Sequence, residues 1–124
     1  MRFAADFSNA PYIIKAYSKN TLRINDTDYH HSVLLSQDQL IPTWPVRSIK
    51  ELQTAHFQQV LSLSPELVIL GVGDTFCFID PPLLQPLYAQ QIGVEVMTTA
   101  AACRTYNLLA SEGRKIVVCL IINS

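Results

Sequence analysis

The stretch from Val94 to Leu109 constrains the fold more than any other part of this chain. Val94-Glu95-Val96-Met97 has strand character, Thr98-Thr99 can turn and cap, and Ala100 to Ser111 carries helical periodicity. The preceding residues obey the same alternation. Glu66-Leu67-Val68-Ile69-Leu70 reads as a strand buried on both faces and runs into Gly71-Val72-Gly73-Asp74. Asp80-Pro81-Pro82 opens a helix, with Asp80 as cap and Pro81 in its first turn. That helix should occupy residues 82–92, with Leu83, Leu84, Leu87, Tyr88 and Ile92 at helical spacing and Gly93 as its stop. Lys115 to Ile122 supplies a last apolar strand. Strands alternating with helices predict parallel pairing through right-handed crossovers.

The first half has a different grammar. Tyr12 to Tyr17, Thr21 to Asn25 and Tyr29 to Leu35 are strand candidates, separated by the turn signals Ser18-Lys19-Asn20 and Asn25-Asp26-Thr27-Asp28. This is the pattern of an antiparallel meander with one apolar face. Ile41-Pro42-Thr43-Trp44-Pro45-Val46 is an irregular bridge that should lay Trp44 over a core edge. Ser48-Ile49-Lys50-Glu51 has the spacing of a capping box and predicts a helix to about Leu61, with Ile49, Leu52, Ala55, Val60 and partly Phe57 facing inwards. The expected order is βββ–α–β–α–β–α–β, an α/β chain with α+β elements forming a single domain over residues 1–124.

Length and composition support one real core. The 124 residues are 49% hydrophobic and only 15% charged, enough for a domain without staples. Low charge with a mean hydropathy of +0.21 fits either a well-buried α/β core or apolar surface covered by a partner. A net charge of −1 provides no basic field for a phosphate backbone, so nucleic acid is not an expected partner. Cys77, Cys103 and Cys119 form no CxxC, and their odd number suggests free, mostly buried thiols. The first residues lack a signal-peptide apolar segment, and Ile116 to Ile122 is too short to span a bilayer. The expectation is a cytoplasmic protein without a transmembrane segment.

Candidate chemistry concentrates at the carboxyl ends of the strands, where open α/β sheets hold ligands. Gly71, Gly73 and Asp74 lie in one turn; Thr98 and Thr99 open the helix after the other. Glycines admit close backbone approach, and a helix N-terminus attracts anions. The same residues also suit purely structural turns. Arg104, Asn107 and Ser111 stand opposite the face of Ala101, Thr105, Leu108 and Leu109. Arg104 either binds an anion near the Thr-rich cap or ties down a loop carboxylate such as Asp74 or Asp80. Glu112 sits where the helix dipole disfavours it, which suggests a structural ion pair with Arg114. His30 and His31 would point to opposite faces of a strand, and His56 reads as a core or interface residue. No nucleophile–base pair, Walker or dinucleotide fingerprint emerges, so no catalytic residue, metal ligand or cofactor is assigned.

The sequence resembles a known family in Pro65 to Gly73, Gly93 to Thr99, and Ala102-Cys103-Arg104-Thr105-Tyr106-Asn107-Leu108-Leu109 with Glu112-Gly113-Arg114. These runs are similar to the small Mth-like family of unknown function, which includes mitochondrial respiratory complex I assembly factor 3. The resemblance implies a three-layer β/α domain with a mixed central sheet and no established enzymatic activity. It further implies action through a protein partner, with room for peripheral association with a membrane complex; a purely structural, homo-oligomer-forming domain stands beside it as a separate reading. Where the family often has Met-Asp-Thr, this chain has Met97-Thr98-Thr99. Tyr106 and Asn107 join Arg104 as binding candidates on the strength of the matching Arg-Thr-Tyr-Asn run. The resulting expectation is a non-enzymatic adaptor or assembly-type binding domain. The alternative is a small-anion-binding domain or enzyme with its crevice at Gly71–Asp74 and Thr98–Arg104.

Overall fold

The computed structural model describes residues 12–122. Strands β1 (Ile14–Ser18), β2 (Thr21–Ile24) and β3 (Thr27–Tyr29) form the antiparallel meander, in the order β1-β2-β3. Asn25 turns the second hairpin at φ 53°, a left-handed geometry that asparagine tolerates. The larger sheet contains β4 (Val33–Ser36), β5 (Leu40–Ile41), β6 (Leu67–Gly71), β7 (Gly93–Met97) and β8 (Ile116–Leu120), in the order β5-β4-β8-β6-β7. It is mixed: β6 runs parallel to β7 and β8, while β4 runs antiparallel to β8 and β5. The α-helices are α1 (Phe57–Leu61), α2 (Gln85–Tyr88) and α3 (Thr99–Ser111).

Strand periodicity sorts the core into two halves, one on each face of the larger sheet. On one face Leu34, Val68, Leu70, Val117 and Cys119 pack with Trp44, Phe57, Val60, Leu84 and Leu87 from the bridge and short helices. On the other, Val33, Leu35, Ile69, Val118 and Leu120 meet Ala102, Tyr106 and Ala110 of α3 and Ile14, Leu22 and Ile24 of the meander. All five residues of β8 are buried, as a central strand requires. Each large aliphatic side chain buried this way contributes about 1.5–3 kcal/mol. The result is a single α/β domain with layers on both faces of a mixed sheet.

Four local expectations are corrected. Tyr29 to Leu35 is not one strand: β3 and β4 belong to different sheets, and the chain turns between them. Buried Ser32 holds that corner by donating to the Val46 carbonyl and accepting from the Ile122 amide at 2.9 Å. His30 and His31 lie on the exposed corner rather than on opposite faces of a strand.

The second correction concerns residues 48–61, which do not form one helix. Ser48 makes no side-chain capping bond, and only a 3₁₀ turn, Ile49–Glu51, follows it. Glu51 reaches back one residue too far, accepting from the Arg47 amide and guanidinium, each at 3.1 Å. These bonds, the backbone one foremost, lower the Glu51 pKa. Leu52 then adopts extended geometry while its side chain enters the core. The reciprocal box forms instead at Gln53, whose amide donates to His56 Nδ1 at 2.9 Å. His56 is half-buried and packs edge-on to Trp44, while Ala55 is exposed. Trp44 itself is buried, its indole N–H donating to the His56 carbonyl at 3.1 Å.

In the third case, residues 82–92 divide into a 3₁₀ segment, Pro81–Leu84, and the short α2. Pro81, Pro82 and Pro86 lack the amide hydrogens that a regular first turn would use. Asp80 occupies the cap position without a side-chain bond. The fourth correction moves the stop: the chain reverses at Gln91, φ 61°, and Gly93 is already the first residue of β7.

Candidate binding site

The turn after β6 and the start of α3 come together as the sequence suggests. Their polar groups, however, are directed at one another. Thr98 caps α3, its Oγ1 accepting from the Ala101 amide at 3.3 Å. Buried Thr99 accepts from the Gly73 amide and donates to the Ile121 carbonyl, both at 2.9 Å. The Thr99 amide returns a bond to the Gly73 carbonyl at 2.9 Å. Gly71 allows this proximity: a Cβ there would lie 2.9 Å from Thr99 Cα and 3.1 Å from Ala102 Cβ. Gly73 adopts φ 114°, outside the range of other residues. The hydroxyl of Thr99 therefore joins the turn after β6, the N-terminus of α3 and the end of β8.

Tyr106 and Asn107 form a second joint. The buried Tyr106 hydroxyl donates to the carbonyls of Tyr12 at 3.0 Å and Ser36 at 3.1 Å. Burial first, then nearby Asp38, raises its pKa. The Asn107 amide imitates a strand partner for Ile14, donating to its carbonyl at 2.7 Å and accepting from its amide at 3.0 Å. It does so beside the irregularity in β1 between Ile14 and Ala16. Two adjacent residues of α3 thus fasten the start of the meander to the larger sheet.

Arg104, three residues earlier, is exposed and makes no ion pair among the described residues. It borders a cleft of about 190 Å³ between α3 and β1, shared with Lys15, Tyr17, Ala100, Cys103 and Asn107. Asp74 is held by the Tyr17 hydroxyl at 2.7 Å rather than by Arg104. Burial and this carboxylate together raise the Tyr17 pKa. Cys103 forms part of the cleft floor, and burial pushes its thiol up to about 12 against a smaller opposing effect of Arg104. Glu112 and Arg114 are both exposed at the end of α3 and do not form the expected ion pair. The solvated helix end supplies no confinement that would hold the two side chains together.

Sequence reasoning missed the loop that continues from Asp74 to Asp80. Phe76 is 44% exposed and Phe78 91% exposed. Their rings pack edge to face with centroids 5.1 Å apart. The available signal was two aromatic residues, one position apart, in a segment belonging to neither strand nor helix and bounded by carboxylates. Cys77 between them is half-buried, whereas Cys103 and Cys119 are buried; all three are free. No group of three or more metal-ligating side chains occurs among the described residues. No helix there is long and apolar enough to cross a membrane.

Residues 14–121 match the family described as Protein of unknown function (DUF498/DUF598). The chain is 29% identical over 114 residues to the 13 kDa major membrane protein of Francisella tularensis subsp. holarctica (strain LVS), covering 91% of this chain and 92% of that protein. It is 31% identical over 112 residues to NADH dehydrogenase (ubiquinone) 1 alpha subcomplex assembly factor 3 of Mus musculus, covering 89% of this chain and 60% of the mouse protein. The matched part is thus less than two thirds of that relative's length. A Mth938-like domain from Bordetella pertussis superposes with a TM-score of 0.82 at 26% identity, over 94% of this chain and 90% of that one. The chain belongs to the DUF498/DUF598 family, whose Mth938-like fold it shares and whose members include complex I assembly factor 3.

Proposed function

We propose that this domain is a non-enzymatic, assembly-type protein-binding module that docks through the Phe76–Phe78 loop. The carrying observation is the exposed, mutually packed aromatic pair in the loop that follows β6. Paired rings enter a partner with little loss of conformational freedom, and aromatic anchors contribute strongly to interface energies. The neighbouring Gly/Thr turn supports the same reading, because Thr99 and Gly73 direct their polar groups into the fold. Relatives named as NADH dehydrogenase assembly factors suggest the class of partner: a subunit of a respiratory NADH dehydrogenase, met before the complex is complete.

The test replaces the chain in its own cells by a Phe76→Ser/Phe78→Ser variant and measures assembled NADH dehydrogenase on native gels. A severalfold fall in the assembled complex, at unchanged abundance of the variant, is the expected result. Normal assembly with the variant would remove the loop from the proposal. Normal assembly without the chain would remove the assembly role itself.

A further inference from the structure

We infer that the cleft between α3 and β1 binds a small oxyanion, a phosphate or carboxylate group held by Arg104 and Lys15. This inference is independent of the aromatic loop and of any assembly role.

The geometry fixes both ends of the cleft before a ligand arrives. At one end Asn107 grips the backbone of Ile14 through both atoms of its amide. At the other, the Tyr17 hydroxyl restrains Asp74 at 2.7 Å. Lys15 and Arg104 both line the space between these fixed points, the first from β1 and the second from α3. No carboxylate pairs with Arg104 among the described residues. Lys15 has only a 4.0 Å contact with Asp26, whose side chain is 93% exposed. Solvent weakens so open a contact, leaving the ammonium available to a better-placed anion. Ala100 and the Cys103 thiol, whose pKa burial raises, add no charge to the lining, and the nearby carboxylate, Asp74, is engaged by the Tyr17 hydroxyl at one end.

Size narrows the ligand class. At about 190 Å³ the cleft is smaller than the roughly 300–1,000 Å³ pockets that engulf drug-sized ligands. It suits one oxyanionic group and excludes deep enclosure of a nucleotide. A guanidinium presents two parallel N–H donors to two oxygens of phosphate or carboxylate, and the ammonium adds a second charge.

The experiment is an amide NMR titration of the full chain with inorganic phosphate, then separately with acetate, at ionic strength fixed with chloride. Saturable shifts confined to Lys15, Ala100, Arg104 and Asn107 are expected. Saturation by phosphate alone assigns a phosphate site; equal or tighter saturation by acetate assigns a carboxylate site. Arg104→Ala should weaken binding about tenfold or more, the lower part of the range for a charged hydrogen bond. Arg104→Lys should lie between that variant and the parent, because it retains charge without the fork. Lys115→Ala, at the far end of β8, should bind as the parent does. Shifts that never saturate with either anion, or that persist unchanged in both Arg104 variants, would overturn the site.

Discussion

The turn Gly71–Gly73 and the loop Asp74–Asp80 adjoin in sequence and differ in almost every physical respect. In the turn, backbone and hydroxyl groups satisfy each other: Val72 donates to Met97, Gly73 to Thr99, Thr99 back to Gly73, and Ile121 to Gly71. In the loop, Phe76 and Phe78 face solvent, and the tether to the meander is the Tyr17–Asp74 bond. Both segments lead away from the carboxyl end of β6, the end of a strand at which α/β proteins recognise ligands. The contrast teaches that position alone does not make a binding site. Groups already bonded within the fold are unavailable to a partner, while uncovered apolar surface remains available.

Substitution can break this division. Gly71→Ala should have the largest effect, about 3 kcal/mol on the urea-derived stability, because its new Cβ meets the backbone of Thr99. A loss below about 0.5 kcal/mol would mean α3 can slide away freely, and the turn would no longer qualify as rigid. Thr99→Val keeps the shape but leaves the Gly73 amide and Ile121 carbonyl without their hydroxyl partner. A loss of about 2 kcal/mol is expected by the same measurement. Parent-like stability would show that these groups find other partners.

The thiols extend the comparison to pH. Cys103 and Cys119 have pKa values raised by burial, while their unfolded counterparts ionise near 8.5. The folded state therefore holds protons that the unfolded state releases. Stability from this source is complete below about pH 8.5 and falls as pH rises towards the folded values, by up to about 1.4 kcal/mol per pH unit for each thiol. Chemical denaturation from pH 8 to 10 checks the sign; a flat profile would contradict it. Half-buried Cys77 in the loop should react with a thiol reagent well before the other two in native protein. The smallest stability effect belongs to Phe76→Ser/Phe78→Ser, expected within about 0.5 kcal/mol of the parent. A larger loss would identify the loop as part of the core and blur the contrast.

Where the chain's own local chemistry and its tertiary needs agreed, the fold was legible. Leu67 to Leu70 and Ile116 to Leu120 are apolar on both faces and became neighbouring inner strands. Thr98 capped α3 where its spacing suggested. Legibility failed where a side chain had two suitors. Glu51 chose Arg47 over the capping role, and Leu52 left helical geometry to enter the core. At the candidate site, the Arg104-Thr105-Tyr106-Asn107 run was visible as a unit but concealed a division of labour. Tyr106 and Asn107 hold backbone from distant segments, and only Arg104 faces solvent without a partner among the described residues. One-dimensional spacing cannot reveal that Ile14 lies opposite Asn107, because that contact joins residues at opposite ends of the described chain.

The position of β8 has a consequence for biosynthesis. It is the middle strand of the larger sheet and the last of the described strands to leave the ribosome. β4 and β6 emerge earlier, yet neither pairs with the other; each requires β8 as its neighbour. At ordinary translation speeds the interval between β6 and β8 lasts on the order of seconds. β6 can pair with β7 once that strand has emerged, while its other edge remains open until β8 arrives. Such an edge invites pairing with a foreign strand. The nascent domain therefore has a built-in period of vulnerability, and a translational pause before Leu120 would prolong it with two partial sheets and no strand between them.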